Sequence, residues 1–124
     1  MIILENCVFC KIMKQEIPSY TLYEDDIVKV FLSIEPIANG HTLIVPKEHY
    51  KDITDIPIEV LNHINKVSKN MYNLLKEKLN FDGLKLVQNN GFFQDIPHYH
   101  LHLIPHYNSE KKNSLEEVYE ILKK

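Results

Sequence analysis

Between residues 57 and 79 the apolar side chains fall at Ile58, Leu61, Ile64, Val67, Met71, Leu74 and Leu75, steps of three and four that put them on one helical face. Asp55 and Pro57 stand where helices begin, so the spacing predicts an amphipathic helix of about six turns. Elsewhere the period is shorter. Residues 21–23, 27–32, 41–45, 84–88 and 99–104 read as strands, and Glu24-Asp25-Asp26 and Ala38-Asn39-Gly40 are turn-formers. A short helical turn is expected over 7–13, ended before Pro18. Ser114 with Glu117 three places on predicts a capping box opening a last helix that closes on Lys123 and Lys124. Strands joined by short turns, interrupted by one long helix, predict an α+β domain in which helix covers an antiparallel sheet. No repeat, linker or compositional shift divides the chain, so residues 1–124 read as one domain.

Composition narrows the class. A chain of 124 residues, 44% hydrophobic and 25% charged, with three Gly, six Pro and two Cys, supports one core and excludes disordered, collagen-like and disulfide-dense types. The longest apolar runs, at 1–4 and 42–45, fall far short of the ~20 residues that span a bilayer. No basic segment followed by an apolar stretch and cleavage site opens the chain, so a cytoplasmic protein without a membrane partner is expected. Fourteen scattered basic residues against seventeen acidic ones give a net charge of −3, and no nucleic-acid partner is expected. All fourteen are Lys. Any phosphate must therefore be held without a guanidinium fork, by His, Lys and backbone N–H groups.

Three of the seven His lie in His98-Tyr99-His100-Leu101-His102. In a strand, alternate side chains share a face, which would set these imidazoles in a row about 6.6 Å apart with Tyr99 and Leu101 opposite. Such a row suits half-buried structural histidines, a metal centre using His98, His100 and His102, or nucleophilic attack on phosphorus by one neutral imidazole. Cys7-x-x-Cys10 is open to three readings: a redox pair, half a zinc site, or two incidental small residues.

Residues 98–104 resemble the His-φ-His-φ-His-φ-φ signature of the histidine triad family, φ being apolar. The likeness extends in order through Val8-Phe9-Cys10-Lys11-Ile12, Glu16-Ile17-Pro18, residues 40–49 and Asn89-Asn90-Gly91. It implies a HIT-like fold, an antiparallel five-stranded sheet with one long helix and short terminal helices, in a homodimer that shares a ten-stranded sheet. The implied activity is a purine nucleotide hydrolase or transferase that cleaves at the α-phosphate of a nucleoside phosphoramidate or dinucleoside polyphosphate, through a covalent nucleotidyl-histidine. By position, His100 is then the nucleophile, its other ring nitrogen donating to a backbone carbonyl, and His102 contacts phosphate or leaving group beside His98. Gln94 and Asp95 match phosphate-site positions, and Asn89 matches a contact near phosphate or ribose. Phe9, Ile12, Phe31 and Ile34 match a base sandwich, with plain core packing as the other reading. The resemblance also implies a structural zinc on Cys7, Cys10, His49 and His98. His41, His63 and His106 are expected at the surface or in packing, His63 on the polar face of the long helix.

Three departures from the family pattern carry expectations of their own. Ser33 stands where an acid binds the ribose hydroxyls, implying weaker ribose selection. Between Gly91 and Gln94 there are only Phe92 and Phe93, which leaves fewer flexible N–H groups for phosphate. Asp95 occupies a position often held by a Ser donor. A nucleotide-binding module without turnover therefore stands beside the enzyme and metal-hydrolase readings.

Overall fold

The computed structural model describes residues 6–109 and 112–124, so the apolar run at 1–4 lies outside the described residues. In chain order the elements are α1 (Val8–Met13), β1 (Thr21–Glu24), β2 (Val28–Leu32), β3 (Thr42–Pro46), α2 (Ile58–Leu79), β4 (Gly83–Gln88), a 3-10 turn (Gly91–Phe93), β5 (Leu101–His106) and α3 (Leu115–Lys123). The five strands form one sheet in the order β1-β2-β3-β5-β4, every neighbouring pair antiparallel. The fold is α+β, as the pattern predicts.

Side-chain alternation sorts the sheet residues into two layers. Val28, Val30, Leu32, Ile44, Leu101 and Leu103 pack with Ile64, Val67, Met71 and Leu75 of α2 and Val118 and Leu122 of α3. Phe31, Leu43 and Val45 point the other way, onto Phe9, Cys10 and Ile12 of α1. Because helices cover both faces, β2 and β3 are buried at every position. Ile58 departs from the predicted apolar face: in the first turn of α2 it is exposed. The helix stops at Asn80, which adopts the left-handed conformation with φ 48° and returns its N–H to the Lys76 carbonyl. The capping box of α3 forms as expected: Glu117 N–H donates to Ser114 Oγ and Ser114 N–H to Glu117 Oε1.

Two turns connect β1, β2 and β3. Asp25 Oδ1 accepts from the N–H groups of Ile27 and Val28, and Oδ2 accepts from the Tyr23 hydroxyl at 2.7 Å. Burial would raise the Asp25 carboxyl, but these bonds and His63 on α2, 2.7 Å away, hold it well below the usual range. Gly40 closes the β2–β3 connection at φ +83°. A Cβ there would lie 2.5 Å from Leu79 Cδ1. Both the φ and the contact disfavour any side chain, so Gly40→Ala is expected to lower stability by about 1–3 kcal/mol, read as a shifted denaturation midpoint at unchanged m-value.

The fifth strand begins later than predicted. His98 N–H donates to the Ile96 carbonyl and Tyr99 N–H to that of Tyr50, so residues 98–100 hydrogen-bond outside the ladder and only His102 of the three lies in β5. Alternation survives all the same, because Tyr99, Leu101 and Leu103 face the α2 core.

Candidate active site and an adjoining Cys/His cluster

A cavity of about 320 Å³ opens beneath α1. Its apolar wall comprises Val8, Phe9, Ile12, Phe31, Ile34 and Leu43, while Ser33, Glu35, His41, Asp95, His100 and His102 supply polar groups. A more open cavity of about 430 Å³ lies beside Lys85, Ile104 and His106 on the same sheet face. Buried His41 and His100 and half-buried His102 converge on the first, the arrangement expected of a binding site.

The hydrogen bonds assign the imidazole protons. His100, 2% exposed, has Nδ1 2.7 Å from the His98 carbonyl, which can only accept. Nδ1 therefore carries the hydrogen and Nε2 of the neutral ring carries the lone pair. Asp95 Oδ1 lies 3.5 Å from that Nε2, beyond ordinary hydrogen-bond length. His41 Nδ1 accepts from Ile37 N–H at 3.1 Å, so its hydrogen sits on Nε2 and is donated to His102 Nδ1 at 2.9 Å. His102 is left with its own hydrogen on Nε2. One lone pair and one N–H donor thus result from two backbone groups, on rings whose centroids are 4.8 Å apart.

Burial works against protonation of His41 and His102. It pushes His41 down to about 4, helped by His102 and His100. His102 is lowered by burial and by His100, against a smaller opposing pull from Asp95.

A second grouping adjoins the first. The ligand atoms of Cys7, Cys10, His49 and His98 all lie within 4.8 Å of one another. Cys7 Sγ is 3.4 Å from His98 Nδ1, and Cys10 Sγ is 3.4 Å from His49 Nδ1. His98 Nε2–H donates to the Pro46 carbonyl at 2.9 Å, which turns its Nδ1 lone pair toward the sulfurs. Burial drives His98 down to about 4 and lowers His49, so both imidazoles are neutral donors near pH 7. Two thiols and two imidazoles, spaced close to the edges of roughly 3.3–3.8 Å of a tetrahedral zinc site, fit a metal ion.

Of the predicted residues, Phe9, Ile12, Phe31, Ser33, Ile34, Asp95, His100 and His102 line the cavity. Asn89 and Gln94 do not. Gln94 Nε2 donates to the Lys51 carbonyl at 2.7 Å, and Asn90 Oδ1 accepts from Ile53 N–H, so the loop after β4 spends these side chains on anchoring itself to residues 51–53. Phe92 and Phe93 project outward, 95% and 74% exposed. His98 turns its ring to the cysteines and offers His100 only its carbonyl. A metal centre on His98, His100 and His102 is therefore not assembled. Among the described residues, the grouping able to hold a metal is the Cys/His one. His41 corrects the expectation of a surface or packing residue. The alternation of 41, 43 and 45 with Leu43 was the available signal; the pairing of Leu43 with His102 was not visible in the chain. His63 is half-buried against Asp25, and His106 is exposed.

Fold and site together define an α+β protein whose cavity is served by imidazoles oriented by hydrogen bonds on one face of an antiparallel sheet. The family model of the HIT domain matches residues 14–109. An uncharacterised HIT-like protein of Methanocaldococcus jannaschii is 44% identical over 106 residues, covering 84% of this chain and 81% of its own length. A Saccharomyces cerevisiae protein named adenosine 5′-monophosphoramidase is 43% identical over 101 residues, 80% of this chain and 61% of its own. The crystal structure of a zinc-bound histidine triad family protein from Mycobacterium smegmatis aligns with a TM-score of 0.87 at 34% identity, covering 95% of this chain and 91% of that one. This chain belongs to the histidine triad (HIT) family.

The lowered His41 pKa has a consequence for stability. Folding disfavours its proton, so the stabilisation is complete above the ordinary value of 6.5 and is lost as pH falls toward 4. Between pH 7 and 4.5 this group is expected to contribute about 2–3 kcal/mol of lost stability. Denaturation of His41→Gln over the same interval should show correspondingly less acid sensitivity.

Proposed function

We propose that this protein hydrolyses purine nucleoside phosphoramidates through a nucleotidyl intermediate on His100. The observation that carries the reading is the oriented pair of imidazoles: the His98 carbonyl holds His100 Nδ1, which turns Nε2 to the cavity, and His41 holds His102 Nδ1, which leaves an N–H donor on Nε2. His100 Nε2 attacks the α-phosphorus, a P–N bond forms, and the bond to the leaving amine breaks. The amine departs with the bonding pair and takes its proton from solvent. His102 Nε2–H donates to a phosphate oxygen as charge develops there. Water then attacks phosphorus, loses a proton to solvent, and restores the His100 lone pair as the nucleoside monophosphate leaves.

The cavity's charge selects among substrates. Glu35 and Asp95 line it and, among the described residues, no Lys does, an environment that suits a singly charged phosphoramidate better than a polyphosphate. The yeast relative's name agrees with a purine phosphoramidate. The apolar walls of Phe9, Ile12, Phe31 and Ile34 suit a base. Glu35, whose backbone N–H donates to Ser33 Oγ at 3.2 Å, also lines the cavity and is the acid that would serve the ribose in place of the missing one. Cys7, Cys10, His49 and His98 would hold a structural zinc, which supplies cross-linking and no chemistry at phosphorus. Homodimerisation along β4 is supported by its position as an edge strand with Leu86 exposed at 55%. Two buried cysteines set beside imidazoles suit a reducing, cytoplasmic setting. Among the described residues no helix is long and apolar enough to cross a membrane.

His100→Ala is expected to abolish turnover while a nucleotide analogue still binds within several-fold of wild type. Retention of more than about a tenth of kcat, less than the ~1.4 kcal/mol of one decade, would refute the nucleophile. Mass spectrometry of wild type quenched with adenosine phosphoramidate should reveal the adenylyl adduct. Binding without any adduct or turnover would make the protein a nucleotide-binding module instead. Glu35→Gln should reduce the ribose-to-deoxyribose ratio of kcat/KM several-fold, on the order of 1 kcal/mol, and an unchanged ratio would remove Glu35 from the ribose.

A further inference from the structure

We infer that the Cys7, Cys10, His49 and His98 cluster, when it holds a metal, is the brace that sets the cavity wall and the nucleophile, so that metal loading controls nucleotide affinity. The inference rests on the reading of the cavity as a nucleotide site.

Helix α1 is the reason. It has six residues, Val8–Met13, and no side-chain cap at Cys7, far below the ~12 residues at which helices become stable by themselves. Its position must come from what its side chains hold. Cys7 and Cys10 are two of the four donors, and Val8, Phe9 and Ile12, interleaved with them, form one wall of the cavity. A link through the sulfurs therefore fixes that wall. Phe9 also abuts both His98 and His100, with ring centroids 5.6 and 5.0 Å away.

The third donor reaches the chemistry by a shorter path. His98 is clamped at Nε2 by the Pro46 carbonyl and faces the sulfurs with Nδ1, and its own backbone carbonyl receives the His100 Nδ1–H. The fourth donor, His49, follows β3 and stands outside the cavity lining. The cluster therefore ties α1, the segment before β5 and the segment after β3 at one point. Without a metal, the donors meet through S···N contacts of 3.4–3.7 Å and an edge-to-face contact of the His49 and His98 rings at 4.7 Å, all far weaker than coordinate bonds.

The rest of the fold does not need this point. Phe9, Cys10 and Ile12 still pack on Phe31, Leu43 and Val45, and the larger core under α2 and α3 is separate. The metal-free chain should stay folded with α1 in several positions. If the correct one is held about a tenth of the time, the apparent Kd rises about tenfold.

The test compares full-length protein as purified, stripped with chelator and reloaded with zinc, alongside His49→Ala and His49→Cys. Zinc content, far-UV circular dichroism, the calorimetric Kd for adenosine 5′-monophosphate and the ¹⁵N shifts of the His100 ring are recorded for each. One zinc per chain is expected, with stripping weakening Kd about tenfold at unchanged helicity and altering the His100 shifts. Reloading should restore wild type and His49→Cys, which keeps four donors, and not His49→Ala. Equal Kd within twofold in loaded and stripped protein overturns the brace and leaves the nucleotide reading standing. Absence of zinc binding overturns the metal and the brace together, while measured nucleotide binding still supports the function. No nucleotide binding in any state overturns the function and this inference with it. Should stripping unfold the chain, zinc-loaded and cadmium-loaded proteins are compared: the larger ion should change Kd and the His100 shifts, and identical values overturn the brace.

Discussion

The hydrogen bond from His100 Nδ1 to the His98 carbonyl is the contact on which the site depends. It decides which nitrogen of His100 faces the cavity with a lone pair, and it exists only because residues 98–100 stand outside the ladder of β5. In a regular strand the His98 carbonyl would be directed at a neighbouring strand. The His98 N–H bond to Ile96 bends the chain just before this segment, and the Tyr99 N–H bond to Tyr50 holds it outside the sheet. The side-chain parity of the strand is retained, so Tyr99 remains an apolar anchor in the α2 core while both flanking imidazoles face α1.

Burial and hydrogen bonding then act together on the histidines. An enclosed imidazole loses its water partners, so each of its polar nitrogens must find a partner in the protein. Pro46, His98 and Ile37 supply backbone partners for His98, His100 and His41, and the orientation of each ring follows from whether that partner donates or accepts. The chain has no Arg, and among the described residues no Lys lines the cavity, so its hydrogen-bond donors to an anion are N–H groups. That is a weak electrostatic environment for a highly charged ligand and an adequate one for a singly charged ligand.

The loop after β4 illustrates a different economy. A longer, glycine-rich loop could wrap phosphate with its own N–H groups, whereas here Asn90 and Gln94 are committed to residues 51–53. Their commitment leaves Asp95 as the side chain that reaches His100. Phe92 and Phe93 are pushed into solvent by the same short 3-10 turn.

Local pattern was enough for much of the fold. The three- and four-residue period of α2, the capping box of α3, the Asp25 and Gly40 turns and the alternation around the histidines are consequences of near neighbours, and each is legible in the chain. The residues that could form the Cys/His cluster and the apolar cavity wall were legible too, as motif positions. What tertiary structure alone decided is which donors meet which acceptors. His41 joins His102 because β3 pairs with β5, 61 residues away in sequence. The division of labour within the triad, with the His98 ring given to the cysteines and its carbonyl to His100, depends on Pro46 arriving from β3. Gln94 misses the cavity because the Lys51 carbonyl takes its amide, while Asn90 of the same loop is held by Ile53. A sequence specifies periodicity and residue chemistry, but a hydrogen bond is a matter of distance and direction. Between segments far apart in the chain, those are set by the packing of the whole sheet.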